Sequence, residues 1–462
     1  LENLVIQLSK YVIIILFTIY TLYCFTVFRS TNKERQKRIF KKQRKLMYFI
    51  HFICHFLLFL NTKDTKLVGL YLIELIFFVA AWKIYNLVYR NMSKHVFNNM
   101  MMLMAVSFVM LARLDYDFAK RQFLMVCAGM GLCLIVPFII DKFKYLDKLG
   151  WVYAGIGIVC LLSVFVPGVG AEKYGAVNWI SIGPISLQPS EFVKIIFVFF
   201  IAALLAYTDE FKDIVKITIV AAIYVLILVA EKDLGGALIF FITYLAVLYV
   251  STAQPFYLIS GLLSGSVASV VAYKLFAHVR VRVHAWRDPF SDINGGGYQL
   301  ASSLFAIGTG GWFGMGLGKG LPTSIPVKES DFIFAAISEE MGGIFAICMI
   351  LIYISCFIMF INIAMKMKKK FYKLTAMGLS VIFIFQVFLN IGGVTKFIPS
   401  TGVTLPLVSY GGSSILSTIL LFSIIQGMYV LNQDEGRKVE KGKNEEIDKQ
   451  KKRKGRRHSK EA

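Results

Sequence analysis

Along most of this chain the apolar residues do not recur at intervals of two or of three and four. They run together in blocks of about twenty, the length an α-helix needs to cross a hydrocarbon core. Thirteen such blocks are recognisable, at about 7–28, 46–62, 66–88, 97–114, 121–140, 149–167, 189–207, 214–231, 234–251, 256–277, 331–364, 373–393 and 407–431. Lipid offers no partner for a backbone amide, so each block must satisfy its polar groups within its own helix. A β-barrel would show shorter, alternating segments. The pattern predicts an all-α, polytopic integral membrane protein.

Polar residues gather between the blocks and sort by charge. Residues 29–45 carry nine Lys and Arg, and residues 434–462 carry twelve more, so these two short segments hold 21 of the 50 in the chain. Cytoplasmic loops concentrate positive charge beside the spans they join, and anionic lipid attracts such segments. Placing both inside and alternating the blocks also puts 89–96, 141–148 and 365–372 inside. The long segments 168–188, 278–330 and 394–406 then fall outside. The N-terminus is expected outside and the C-terminus in the cytoplasm, with Lys120 and Arg121 as a mild exception on the outer side. The charged tail 434–462 lacks aromatic residues and is expected to be disordered.

A net charge of +22 does not imply nucleic acid here, because the charge sits where membrane orientation requires it. The partner it fits is membrane lipid. The seven cysteines all lie in apolar blocks without metal-ligand spacing, and their odd number argues against a disulfide framework. The run Leu4–Phe28 is followed, not preceded, by charge and shows no small-residue cleavage site, so it is expected to be a retained span. His51 and His55 lie one helical turn apart in an apolar block without an evident third ligand, which favours core or interfacial histidines over a metal site.

Candidate chemistry concentrates on the outer side. The tract Gly308–Gly320 (GTGGWFGMGLGKG) is not a P-loop, because Lys319 is followed by Gly320 and not by Ser or Thr. Its glycines allow close approach of backbone to a ligand or a helix. Glu191 and Lys194 sit just inside one block and Glu231 and Asp233 at the end of another, where ionisable groups are costly and therefore read as functional. Asp331 stands at the lip of the block that follows the long outer loop.

Four segments together resemble one family. They are QPSEFVK at 188–194, EKDLGGAL at 231–238, DPF…GYQLASSLFAIGTGGWFGMGLGKG…SDFIFAAISEE at 288–340, and GVTLPLVSYGGSS at 402–414. In order and spacing they are similar to the SEDS family (shape, elongation, division and sporulation), which includes the FtsW, RodA and SpoVE proteins. The resemblance covers about residues 95–432. It implies a ten-helix catalytic core at 96–432, preceded by an N-terminal extension of about three transmembrane helices at 1–95 and followed by a basic tail at 433–462. The chain departs from the family pattern at Glu329 and Ser330, where histidine and threonine are usual, and at Asn178, Ser302, Glu231 and Lys232.

The resemblance further implies a peptidoglycan glycosyltransferase that polymerises lipid II at the outer face of the bacterial cytoplasmic membrane, beside a class B penicillin-binding protein. The family's essential aspartate corresponds to Asp331. It is expected to act as general base toward a sugar hydroxyl, or to hold a divalent cation, Mg²⁺ or Mn²⁺; the sequence leaves both roles open. Arg280, Arg282, Arg287, Lys319 and Lys328 offer positive charge to a departing diphosphate. Tyr298, Gln299, Gln188, Glu191, Lys194, Asp233, Ser409 and Tyr410 complete the expected substrate-binding set. Two other readings use the same features: a transporter that moves lipid II across the membrane, and a non-catalytic scaffold for a transpeptidase.

Overall fold

The computed structural model describes residues 2–143, 145–167, 170–173, 176–182, 185–208 and 210–434. The tail expected to be disordered lies outside these residues, apart from Asp434. Seventeen α-helices follow one another: α1 (Glu2–Arg29), α2 (Lys33–Thr62), α3 (Thr65–Val88), α4 (Lys94–Leu114), α5 (Tyr116–Cys133), α6 (Val136–Lys142), α7 (Gly150–Leu162), α8 (Pro189–Leu205), α9 (Phe211–Ala230), α10 (Leu234–Thr252), α11 (Pro255–Leu275), α12 (Ala277–Arg287), α13 (Tyr298–Gly310), α14 (Ile333–Met341), α15 (Gly343–Lys366), α16 (Lys370–Val394) and α17 (Gly412–Asp434). Eleven described helical segments are long and apolar enough to cross a membrane, and the molecule is a multi-span membrane protein.

Local signals set the helix ends. Asn32, Asp64, Ser93 and Asp115 accept hydrogen bonds from the first free amides of α2, α3, α4 and α5, as N-caps do. Prolines open α8 and α11, where a missing N–H costs nothing. The middle of the bundle is α4, in which every residue from His95 to Ala112 is buried. Around it α2, α5 and α15 pack directly, and α1 packs on α15, with Phe17 stacked on Phe345 at 3.8 Å between ring centroids. The three N-terminal helices therefore share one core with the rest of the chain. By contrast, α11 has no buried residue and stands at the rim.

Three expectations change. The blocks at 149–167 and 189–207 form helices of only 13 and 17 residues. The second is about 25 Å long at 1.5 Å per residue, short of a full hydrocarbon core. Between them the chain is not a loop but a small antiparallel sheet, β1 (Gly170–Lys173), β2 (Ala176–Ile182) and β3 (Ile185–Leu187), in the order β1-β2-β3. Gly170 pairs with Ile180, and Ile180 with Leu187. The all-helical class thus carries one small sheet. Finally, the block at 331–364 is not one helix. Gly342 breaks it with φ +88°, and a Cβ there would lie 2.4 Å from the Gly314 amide nitrogen, so only glycine fits.

The truncation point matters at the other end. Asn91 Nδ2 donates to Asp434 Oδ1 at 2.8 Å, tying the last turn of α17 to the loop before α4. Removing residues 435–462 is expected to leave melting temperature and activity unchanged. Removing Asp434 as well is expected to lower the melting temperature, which paired thermal melts in detergent would resolve.

Candidate functional site

The segments expected on one face do converge. Glycines mark the closest approaches. A Cβ on Gly235, at the start of α10, would meet the Thr401 carbonyl at 3.0 Å and Val403 Cγ2 at 2.6 Å. Gly402 has φ +74°, and a Cβ on it would lie 3.4 Å from Arg282 Nη2 and 3.7 Å from Asp331 Oδ2. Gly402 therefore brings its backbone close to both the guanidinium and the carboxylate.

Asp331 is placed by its backbone. Its carbonyl accepts from Asn390 Nδ2 at 2.9 Å, and the same amide group donates to the Val403 carbonyl at 2.7 Å. The preceding residues are pinned from below: Ser409 Oγ donates to the Ser330 carbonyl, and the Tyr410 amide donates to the Glu329 carbonyl at 2.7 Å. The side chain meets Ser330 and the Arg282 charge. Withdrawal from water raises its carboxyl to about 6 against the pull of Arg282, so it is a base poised just below neutrality. Arg282 Nη1 donates to the Ser400 carbonyl at 3.3 Å, which orients it from α12.

Beside this pair lies Asp233, the N-cap of α10. Its Oδ1 accepts from the Gly236 amide at 2.8 Å, and its Oδ2 from Asn178, Gln188 and Ser190 at 3.3–3.5 Å. Burial raises its carboxyl. Burial, and then the Asp233 charge, lift Glu231 to about 8. Lys232, with φ +63°, is exposed and turns outward. Behind Asp233 a polar chain runs into the bundle. Lys194 bridges Glu191 at 2.7 Å and Gln386 Oε1 at 2.8 Å, Ser417 donates to Glu191, and Gln386 donates to the Thr404 carbonyl. The amide of Gln188 donates to Ser413 Oγ.

The expected site residues thus fall into three groups. Asp331, Arg282, Asp233 and Gln188 meet around the segment 400–403. Glu191 and Lys194 brace that segment from within, and Ser409 and Tyr410 pin residues 329–330, so these four act on the site through backbone placement. The remainder lie elsewhere. Arg280 donates to the Lys274 carbonyl at 2.7 Å, and Arg287 is exposed at the end of α12. Gln299 is exposed on α13, and Tyr298 there donates to the Ser324 carbonyl. Lys319 is exposed on the glycine tract, which folds against the far end of α14 from Asp331. There the Gly318 and Leu321 amides donate to Glu340 and Glu339. Sequence reading missed Asn390, Gln386, Asn178 as a ligand of Asp233, and Arg113, which pairs with Glu340 at 2.9 Å. A lone amide or arginine inside an apolar block was the available signal.

Comparison with known proteins bears on the same surface. Residues 85–433 match the family model described as cell cycle protein, FtsW/RodA/SpoVE. The chain is 35% identical over 352 residues to the peptidoglycan glycosyltransferase RodA of Mycobacterium bovis, covering 70% of this chain and 75% of that protein. It is 34% identical over 322 residues to the stage V sporulation protein E of Bacillus subtilis, covering 67% and 86%. Among solved structures, one from a study of polymerisation and crosslinking by a peptidoglycan synthase complex superposes with TM-score 0.63 at 25% identity, covering 74% of this chain and 98% of the other. The rod shape determining protein RodA of Thermus thermophilus shares the fold, with TM-score 0.56 at 24% identity over 73% of this chain and 96% of its own. With four ordered motifs gathered on one face and a match over most of its length, the chain belongs to the FtsW, RodA and SpoVE family.

Proposed function

We propose that this protein is a peptidoglycan glycosyltransferase that polymerises lipid II at the outer face of the bacterial cytoplasmic membrane. The observation that carries the reading is the facing of Asp331 and Arg282 across Gly402. In the reaction, a sugar hydroxyl attacks an anomeric carbon while a lipid diphosphate departs. A carboxylate whose proton affinity is raised to about 6 accepts the hydroxyl proton. The guanidinium beside it neutralises charge that grows on the leaving diphosphate, the stabilisation that fixed donors supply most effectively. Asp233, fixed by four hydrogen bonds, stands beside the pair and holds α8 and β2 against the start of α10.

A divalent cation fits this arrangement in one way. Mg²⁺ is commonly held by one or two carboxylates together with substrate phosphates, and Asp331 supplies one carboxylate, while among the described residues it joins no cluster of three metal-ligating side chains. Mg²⁺ or Mn²⁺ held by Asp331 would add charge neutralisation at the diphosphate. The remaining parts of the reading are an outer N-terminus, a cytoplasmic C-terminus and a class B penicillin-binding protein as partner. The lysine-rich loop 365–372 lies at the end of α15 remote from Asp331, which supports that orientation.

The test is polymerisation of purified lipid II by the full chain, with and without the cognate transpeptidase. Ionised Asp331 is the active form of a general base, and its proton affinity is raised. The initial rate is therefore expected to be flat at neutral pH and to fall tenfold per pH unit below about 6. A rate independent of pH across that range would remove Asp331 from the role of base.

A further inference from the structure

The N-terminal helices carry a buried cluster that the glycosyltransferase reading does not use. His51 and His55 project from one face of α2, and Glu74 projects from α3 to meet them. The third ligand absent from the local sequence is thus supplied across the helical hairpin. His51 Nε2 lies 2.8 Å and His55 Nε2 lies 3.2 Å from Glu74 Oε2. Exposure of the three residues is 1%, 3% and 0%.

The hydrogen-bond arithmetic is informative. His55 Nδ1 contacts the His51 carbonyl at 3.2 Å. A carbonyl only accepts, so Nδ1 carries the hydrogen, and Nε2 of the neutral ring is a lone pair. That lone pair faces a carboxylate oxygen, another acceptor, away from water. Two acceptors at 3.2 Å repel unless a cation lies between them. His55 Nε2 and Glu74 Oε1 have no hydrogen-bond partner among the described residues. His55 thus donates its second ring nitrogen to a backbone carbonyl, as metal-binding histidines commonly do, whereas His51 Nδ1 has no hydrogen-bond partner among the described residues. Within a hydrocarbon span such a charged cluster is costly unless it is neutralised.

We propose that His51, His55 and Glu74 bind one zinc ion that braces α2 against α3. Two imidazoles and a carboxylate are a zinc donor set. With zinc bonds of about 2.0–2.2 Å, tetrahedral ligands stand roughly 3.3 Å apart. The three ligand atoms here all lie within 4.8 Å of one another. A cavity of about 10 Å³ adjoins His51, but its lining is apolar and includes neither His55 nor Glu74, so the three side chains carry the site. The brace has a route to the outer face. Asn61, at the last turn of α2, donates to the Leu317 carbonyl of the glycine tract at 2.9 Å.

The test is metal analysis of the tag-free full chain purified in detergent without chelator, by inductively coupled plasma mass spectrometry. About one zinc per chain is expected, as for a structural site, with loss of at least nine-tenths of it in His55→Leu. Glu74→Gln, nearly isosteric, serves if the leucine variant does not fold. Cobalt(II) added to the metal-free chain is expected to give visible absorption that zinc abolishes. A wild-type chain that holds no zinc and gives no cobalt spectrum would overturn the proposal and leave a proton, as the His55 imidazolium, between the acceptors. Equal zinc in wild type and folded variants would also overturn it.

Discussion

Asp331→Asn is expected to lower lipid II polymerisation by at least about 10²-fold, the range set by loss of a general base, while leaving the melting temperature near that of the parent. The two halves of this expectation come from different atoms of one residue. The contact that holds residue 331 in place is made by its carbonyl, to Asn390, and an asparagine keeps it. The carboxylate is the part withdrawn from water, so replacing it with a neutral amide removes a desolvated charge and does not create one. Arg282 retains the Ser400 carbonyl. Gel analysis of glycan strands, with thermal melts as the control, separates the two effects. Near-normal polymer from a folded Asp331→Asn would sink the assignment of Asp331.

Arg113→Ala should cause the largest loss of stability, about 3–5 kcal/mol, because it strands a buried charge. Glu340 is fully buried. Its Oε1 accepts from Arg113 Nε at 2.9 Å and its Oε2 from the Gly318 amide, while Arg113 Nη2 also donates to the Gly320 carbonyl at 3.2 Å. One arginine at the end of α4 thus holds both the end of α14 and the glycine tract. Truncation should depress the melting temperature and expose residues 314–321 to protease. Pairing Arg113→Leu with Glu340→Leu should recover most of the loss, since removing both partners leaves no orphaned charge. An unchanged melt for Arg113→Ala would show that water reaches Glu340.

The candidate site was partly legible in the sequence, and the reasons are local. Gln188, Asp233, Arg282 and Asp331 stand in polar segments between apolar blocks, where charge has few structural uses. The supports were not legible. Asn390 and Gln386 lie within α16, and nothing nearby in sequence distinguishes an amide that holds the 403–404 carbonyls from one that fills a gap. Ser409 and Tyr410 were visible as candidates, but their action on residues 329–330 joins positions some eighty apart. Arg280, Arg287 and Lys319 look alike in sequence, but the fold turns Arg280 to the Lys274 carbonyl and leaves Arg287 and Lys319 exposed.

The sequence by itself determined the class of the molecule, most of its spans and the common face of its motifs. Lipid imposes on each helix a length and an apolar content that neighbouring residues alone must meet. Tertiary structure decided where a span breaks, as at Gly342 against Gly314, and which polar groups meet. Glu74 joins His51 and His55, and Arg282 faces Asp331, only because helices distant in the chain are brought within a few ångströms. Within the bundle a buried polar group must find its partner wherever packing places one, and no local pattern records that choice.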